Sequence, residues 1–177
     1  MLDSPGHRLL ARRATAASVV LLQNRGGVLP LRRDAVKAIA VIGPFADCPD
    51  RTPGYGGHPC YLHSYNGQPS YISTILAGVT EAAANIGATV TFASGGPFVG
   101  SPNISAIATA VTVAKQADVT ILAVGLGNKV EGEGLDRSYL TLPSPQLALV
   151  DAVSGRVPIG WPHMCLTTPS PPFQHMK

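Results

Sequence analysis

Charged residues are scarce in this chain of 177 residues. They make up 13% of the sequence, whereas 45% of the residues are hydrophobic, and an ordinary globular protein carries about a quarter charged residues. A disordered tail shows the opposite balance, so the composition predicts a folded domain with a large buried fraction, or a piece of a larger protein. The net charge is only +3, and no basic stripe interleaves with aromatic residues, so we expect no nucleic-acid partner.

Long apolar runs are lacking as well. No stretch reaches the roughly 18 residues that a membrane span needs, so we expect no membrane partner. The opening residues 1–6 lack the basic-then-apolar layout of a signal peptide. If the parent protein is secreted, we therefore expect its leader to precede this chain. The triplet Asn103-Ile104-Ser105 is an N-glycosylation sequon, which slightly favours a secreted parent.

Cysteine is sparse, with Cys48, Cys60 and Cys165 as its three occurrences. Cys48 and Cys60 flank a Gly/Pro-rich loop, and the sequence is compatible with either a disulfide or two buried thiols. The spacings CxxC and HExxH do not occur, so we expect neither a metal nor another cofactor. A GxSxG elbow and a complete GxGxxG turn are also missing, which argues against a serine hydrolase and a dinucleotide-binding protein.

Apolar runs alternate with segments of helical periodicity. The short apolar runs 38–42 and 119–124 predict buried strands, and 89–92 predicts a further strand. The periodic segments 5–24, 72–83, 104–114 and 144–153 predict helices. This alternation predicts an α/β fold: an open, mainly parallel sheet with flanking helices, or partial α/β sandwich. Long loops follow the first and third strands, at 45–70 and 125–142. Ligands of such sheets sit beyond the carboxyl ends of the strands, so we expect the chemistry in these loops.

The second loop concentrates carboxylates. Glu131, Glu133 and Asp136 lie within six residues, in a chain with ten acidic residues. Crowded carboxylates raise one another's pKa, which a general acid working at neutral pH requires, and the intervening glycines allow tight turns. The pattern also fits a solvated acidic loop, and spacing alone leaves both interpretations open.

Five segments, in order, resemble the second domain of family-3 glycoside hydrolases, the β-glucosidases and β-xylosidases. Segment 7–31 contains HRLLARRA, VVLLQN and VLPL, segment 39–46 reads IAVIGPFA, and segment 55–60 reads YGGHPC. Segment 117–126 begins with ADV and ends with VGL, and segment 131–146 contains EGEGLDR, LTLP and Gln146. The loop Tyr55–Cys60 is most similar to the β-xylosidase branch. The resemblance spans residues 7 to about 153. The family's (β/α)8 barrel and its Ser-Asp nucleophile motif have no counterpart, and Gln23 and Phe45 replace a common Lys and Asn.

The resemblance implies a retaining exo-acting β-glycosidase, β-xylosidase-like rather than β-glucosidase-like, that hydrolyses O-glycosyl bonds in xylan catabolism. A barrel aspartate would be the nucleophile, and this chain would supply the acid/base side of the cleft. Glu131 is the predicted acid/base, with Glu133 as second choice. Asp136 and Arg137 are predicted to brace the loop through an ion pair, with sugar contact as the alternative.

The resemblance also implies partners and further substrate contacts. Tyr55, Gly57 and Pro59 are predicted to line the cleft on the aglycone side, with loop packing as their alternative role. The expected partners are β-glycosides such as xylo-oligosaccharides and the missing barrel domain. The parent is expected to be extracellular or lysosome-like. The competing hypothesis is a non-catalytic α/β module that binds a ligand or a sugar.

Three regions are expected along the chain. Residues 1–36 form an interdomain helix and linker, and residues 37–153 form a partial α/β domain. Residues 154–177 contain five prolines, at 158, 162, 169, 171 and 172, which interrupt helices and sheet interiors. We therefore expect a poorly packed, non-native tail there, with no strand after Val153; a genuine Pro-rich linker is the alternative.

Overall fold

A computed structural model describes residues 4–47, 73–127, 130 and 134–156, together with the backbone of 163–167. The chain divides into two units, Met1–Arg32 and Arg33–Lys177. The first unit contains one α-helix and a short 3₁₀ turn, and the second contains the sheet and three further helices.

The helix of the first unit, α1, spans Pro5–Ser18. Ser4 caps it by accepting a hydrogen bond from the backbone N–H of His7 at 3.3 Å, and Pro5 occupies the first turn, as the sequence predicts. The predicted end at residue 24 is wrong. Val19 already has extended backbone angles (φ −72°, ψ 128°), because consecutive β-branched residues lose side-chain freedom in a helix and favour extended chain.

The first unit buries little apolar surface. None of the residues of α1 is buried, and six large apolar side chains of this unit are half or more exposed: Leu9, Leu10, Val19, Val20, Leu21 and Leu22. The predicted apolar stripe of α1 therefore exists in sequence but packs against no core within the described part of the chain.

The second unit contains a four-stranded parallel sheet. Its strands are β1 (Ala38–Ile42), β2 (Thr89–Ala93), β3 (Val119–Val124) and β4 (His163–Thr167), in the spatial order β2-β1-β3-β4. Ala38 pairs with Thr89, Ile39 with Val119, and Thr120 with His163, all in parallel register. Because β1 and β3 occupy the centre of the sheet, they are almost wholly buried. The predicted fold class is confirmed.

The strand β4 corrects the expectation that none follows Val153. It pairs along its whole length with the last five residues of β3. The five prolines fall in two groups, at 158 and 162 and from 169 onward, and residues 163–167 between them contain none. Every residue of β4 can therefore donate its backbone N–H, as a ladder requires. Trp161 and Phe173, whose burial would test whether the tail is native, lie outside the described residues.

Helices α2 (Ile75–Ala84), α3 (Ile104–Lys115) and α4 (Ser144–Arg156) complete the second unit. The side-chain oxygens of Thr74 and Asn103 cap α2 and α3 by accepting the N–H of Ala77 and Ala106. The main core forms where α3 and α4 cover alternate residues of β1 and β3; its members include Ala40, Ile42, Leu122, Val124, Ile107, Ala110, Val111, Leu149 and Val153. The residues of β1 and β3 on the other sheet face, Ile39, Val41, Ile121 and Ala123, are buried too, as in a sheet covered on both sides.

Asp118 ties the amino-terminal ends of the two central strands together. Its carboxylate accepts the backbone N–H groups of Lys37 at 2.7 Å and Ala38 at 2.9 Å, and its own N–H donates to the carbonyl of Ala38 at 2.9 Å. The two backbone donors, from Lys37 first and Ala38 second, hold the pKa of this exposed carboxyl below its ordinary value. This contact fixes the register of β1 and β3 at the edge opposite the candidate site.

Candidate functional site

The strand order places a crevice between β1 and β3. The chain leaves β1 for β2 on one side and then returns to β3 on the other side of β1. The connections after these two strands thus run in opposite directions, which defines a topological switch point at their carboxyl ends. Both long loops singled out in the sequence begin there, after Ile42 and after Val124.

The turn after β1 passes tightly between its two neighbouring strands. The N–H of Gly43 donates to the carbonyl of Ala93 at the end of β2 (3.0 Å), and the N–H of Phe45 donates to the carbonyl of Ala123 in β3 (3.2 Å). Gly43 has φ +127°, and a Cβ at this position would collide with the carbonyl of Ala123. Only glycine fits here without moving a strand.

Two phenylalanines join the loop after β1 to the loop after β2. The rings of Phe45 and Phe98 meet edge to face, with centroids 4.8 Å apart and planes at 89°, a favourable aromatic geometry. Phe45 is 2% exposed. Phe45 is thus buried in contact with the loop after β2.

Gln146 joins these loops to the loop after β3. Its side-chain oxygen accepts the N–H of Gly125 at 2.8 Å, and its side-chain nitrogen donates to the carbonyls of Gly125 and Phe98 at 2.8 and 2.9 Å. The residue is 1% exposed, so these bonds form away from water, where leaving one unmade is costly. The first residue of the acidic loop is therefore held in a fixed position.

The far end of the acidic loop borders a hollow of about 300 Å³. Val130, Arg137, Tyr139, Leu142 and Leu147 contribute to its wall. Apolar walls together with an arginine and a tyrosine can hold a polar ligand that has an apolar face. The volume of the hollow is at the low end of the range for small-molecule sites.

The predicted ion pair between Asp136 and Arg137 stays a prediction. Asp136 is exposed, whereas Arg137 is half-buried in the wall of the hollow. These adjacent residues therefore differ in their exposure to solvent.

The remaining predicted site residues lie outside the described residues. These are the acid/base candidates and the predicted aglycone-side residues: Glu131, Glu133, Tyr55, Gly57 and Pro59. The same holds for the pair Cys48 and Cys60. The acidic loop is described on both sides of its two glutamates: the N–H of Val130 donates to the carbonyl of Gly127 at 2.8 Å, and Gly134 turns with φ +73°.

Sequence reasoning missed the roles of Gln146 and Phe98. Gln146 was noticed only as a letter of the family motif, and nothing in its spacing shows that it bonds to three backbone groups in two loops. The available signal was its place in the apolar face of α4, beside Leu149 and Val150, because a buried polar side chain needs partners.

Two kinds of feature are absent from the described ranges. No group of three His, Cys, Asp or Glu side chains there has the arrangement that holds a metal ion. Among the helices described, none has the length and apolarity to cross a membrane.

Comparison with solved structures relates the fold to carbohydrate-cleaving enzymes. A family-3 β-glucosidase from Bifidobacterium adolescentis is 32% identical, with a TM-score of 0.73, over 94% of this chain and 22% of that one. A family-3 exo-β-xylosidase, XlnD, solved with a xylobiose aziridine probe, is 30% identical, with a TM-score of 0.70, over 94% of this chain and 21% of that one.

Sequence comparison gives the same family. The probable exo-1,4-β-xylosidase xlnD of Neosartorya fischeri is 35% identical over 152 residues, which cover 86% of this chain and 18% of the relative. The chain therefore spans less than a fifth of that protein's length. Residues 19–164 match the glycosyl hydrolase family 3 C-terminal domain, so the match continues past Val153. The chain belongs to the glycosyl hydrolase family 3 C-terminal domain family.

Proposed function

We propose that this chain is part of a retaining exo-β-glycosidase of the β-xylosidase type and that it supplies the acid/base side of the cleft. The observation that carries the proposal is the family membership of residues 19–164. The parent would hydrolyse O-glycosyl bonds of xylo-oligosaccharides during xylan catabolism.

The proposed chemistry is a double displacement. A barrel aspartate attacks the anomeric carbon, and Glu131 protonates the leaving oxygen; Glu131 then deprotonates the water that releases the sugar. The two carboxyl groups of a retaining enzyme lie about 5 Å apart on either side of the scissile bond. The acid/base therefore has to reach out of its own domain, and a loop at the carboxyl edge of the sheet is a suitable carrier.

The fixed base of the acidic loop supports this role. A general acid works only when it is held within hydrogen-bond reach of the leaving oxygen. Gln146 anchors Gly125 at the start of the loop and also bonds to the carbonyl of Phe98, whose ring meets Phe45 edge to face. Arg137, in the wall of the hollow, is the proposed sugar contact.

The exposed apolar residues of the first unit support a barrel partner. Leu10, Val20 and Leu22 are 64%, 74% and 79% exposed, and large exposed apolar patches mark surfaces that another protein region covers. In our proposal this region is the barrel that contributes the nucleophile.

The choice of xylose over glucose is the finest part of the proposal. It is supported by the relative from Neosartorya fischeri, a probable exo-1,4-β-xylosidase, and by the similarity of the Tyr55–Cys60 loop to the β-xylosidase branch. Solved neighbours include β-glucosidases, so substrate tests have to include both sugars. An extracellular or lysosome-like parent is proposed with it, because polymeric xylan is an extracellular substrate.

A segment exchange tests the proposal. Residues 19–164 replace the matching segment of the Neosartorya fischeri relative, and hydrolysis of aryl β-xylosides and aryl β-glucosides is measured. We expect activity on the aryl xylosides, which Glu131→Gln should lower most where the leaving oxygen is basic. Glu81 is the only glutamate of this chain outside the acidic loop and is exposed in α2, so Glu81→Gln is the matched control and should retain activity. A folded chimera that binds xylo-oligosaccharides without cleaving them would favour the sugar-binding alternative.

A further inference from the structure

The sequon at the start of α3 has no part in the proposed catalysis. Asn103-Ile104-Ser105 is the only Asn-x-Ser/Thr triplet among the five asparagines of the chain. Asn103 and Ser105 are both exposed, and Ile104 is 76% exposed. The whole triplet therefore lies on the surface of the folded second unit.

The two ends of the Asn103 amide have different surroundings. Its oxygen accepts the N–H of Ala106 at 3.1 Å and the hydroxyl of Ser105 at 2.9 Å. Its nitrogen donates to no group of the described residues. The oxygen thus caps the helix, while the nitrogen remains available on the surface.

We propose that Asn103 carries an N-linked oligosaccharide when the chain passes through a secretory compartment. The donor class is an oligosaccharide linked to a lipid pyrophosphate. A bond forms between the amide nitrogen of Asn103 and the anomeric carbon of the first sugar, while the bond from that carbon to the phosphate oxygen breaks. The lipid pyrophosphate leaves, and the amide nitrogen loses one proton.

The fold accommodates this modification without losing the helix cap. The new bond forms at the nitrogen, so the carbonyl oxygen of Asn103 continues to accept from Ala106. An unmodified chain folds with the same cap. Occupancy of the site therefore does not require a different structure of α3.

The chain contains its own control triplet. Asn85-Ile86-Gly87 begins with the same two residues and is exposed at Asn85, but it ends in glycine instead of a hydroxyl residue. The side-chain nitrogen of Asn85 also donates to the carbonyl of Glu81 at 3.2 Å. We expect no sugar at Asn85.

The test is synthesis of the full chain behind a cleavable secretory leader, with endoplasmic-reticulum microsomes present. We expect one glycosylated species, reduced to the unmodified mobility by an endoglycosidase, with the modified residue located at Asn103 by peptide mass analysis. Asn103→Gln and Ser105→Ala should each abolish it, whereas Ser105→Thr should retain it. An unmodified wild-type chain, or an endoglycosidase-sensitive shift that persists in Asn103→Gln, would overturn the proposal.

A second measurement tests the retained cap. The thermal midpoint of the glycosylated chain should equal or exceed that of bacterially produced chain, whereas Asn103→Ala should lower it. A drop on glycosylation as large as that caused by Asn103→Ala would show that the sugar displaces the cap. Neither measurement depends on catalysis, so both remain informative if the proposed glycosidase activity is absent.

Discussion

The side-chain amide of Gln146 pairs with both backbone polar groups of Gly125, accepting its N–H and donating to its carbonyl at 2.8 Å each. One α4 side chain thus satisfies the backbone where β3 ends and the acidic loop begins. A third bond, to the carbonyl of Phe98, brings the loop after β2 into the same contact.

Gln146→Leu should destabilise the chain by about 3 kcal/mol, because it leaves the buried N–H of Gly125 and two carbonyls without this partner. Urea denaturation of the purified chain measures the loss. Gln116, exposed at the carboxyl end of α3, is the control, and Gln116→Leu should change the free energy of unfolding by less than about 0.5 kcal/mol. Equal effects of the two substitutions would refute the role of Gln146.

Gly43 and Gly78 should respond to alanine in opposite directions. At Gly43, φ is +127° and a Cβ would collide with the backbone of β3, so Gly43→Ala should cost roughly 3 kcal/mol or more. Gly78 lies in α2 with nothing within 4 Å of an added Cβ, so Gly78→Ala should stabilise the chain by about 0.5–1 kcal/mol. Thermal unfolding of both variants measures these changes in stability. A Gly43→Ala variant as stable as wild type would contradict the described turn.

Because of Asp118, the free energy of unfolding should depend on pH in the acid range. The pKa of Asp118 is lowered in the folded chain by the backbone donors of Lys37 and Ala38. Its stabilising effect is therefore fully present above the unfolded pKa of about 3.9 and is lost as the pH falls through the lower folded value. Because the carboxyl is exposed, Asp118→Asn should cost only about 1 kcal/mol at neutral pH.

The pH series of that variant supplies the check. The difference in the free energy of unfolding between wild type and Asp118→Asn should shrink as the pH falls below about 4. Asp151→Asn, which changes an exposed carboxylate of α4, should remain within about 0.5 kcal/mol of wild type throughout. A difference for Asp118→Asn that stays constant from neutral to strongly acid pH would contradict the assignment.

Local apolar runs predicted much of the sheet. The bounds of β1 and β3 could be read from the sequence because both strands are buried on two faces and are apolar at every position except Thr120. The end of α1 and the presence of β4 were mispredicted. The end of α1 depends on the backbone preferences of the residues after Ser18. The presence of β4 depends on where the prolines fall within the tail, not on how many there are.

The candidate site was predictable only in part. The carboxyl ends of β1 and β3 follow from the alternation of strands and helices together with the rule for ligand positions in open sheets. The contacts of Gln146 with Gly125 and Phe98 depend on side-chain directions in three dimensions. Periodicity and spacing do not contain that information.

The isolated chain should not hydrolyse glycosides. General acid catalysis contributes only about 10²–10⁴-fold, and the proposed covalent step needs a nucleophile that we assign to another domain. Assays of the purified chain on aryl β-xylosides and β-glucosides, beside its Glu131→Gln variant, measure this. Turnover by the wild-type chain that disappears in the variant would show that the nucleophile is not elsewhere.

The most direct test of the central claim compares leaving groups in the active chimera with Glu131→Gln and Glu133→Gln. Protonation matters most for a basic leaving oxygen, so Glu131→Gln should impair xylo-oligosaccharides far more than aryl xylosides with acidic phenols. Azide needs no base and should restore the slowed release of the sugar from the enzyme. Small, uniform losses without azide rescue in Glu131→Gln, together with the selective pattern in Glu133→Gln, would move the role to Glu133. Absence of the pattern in both variants would contradict the claim that this loop supplies the acid/base.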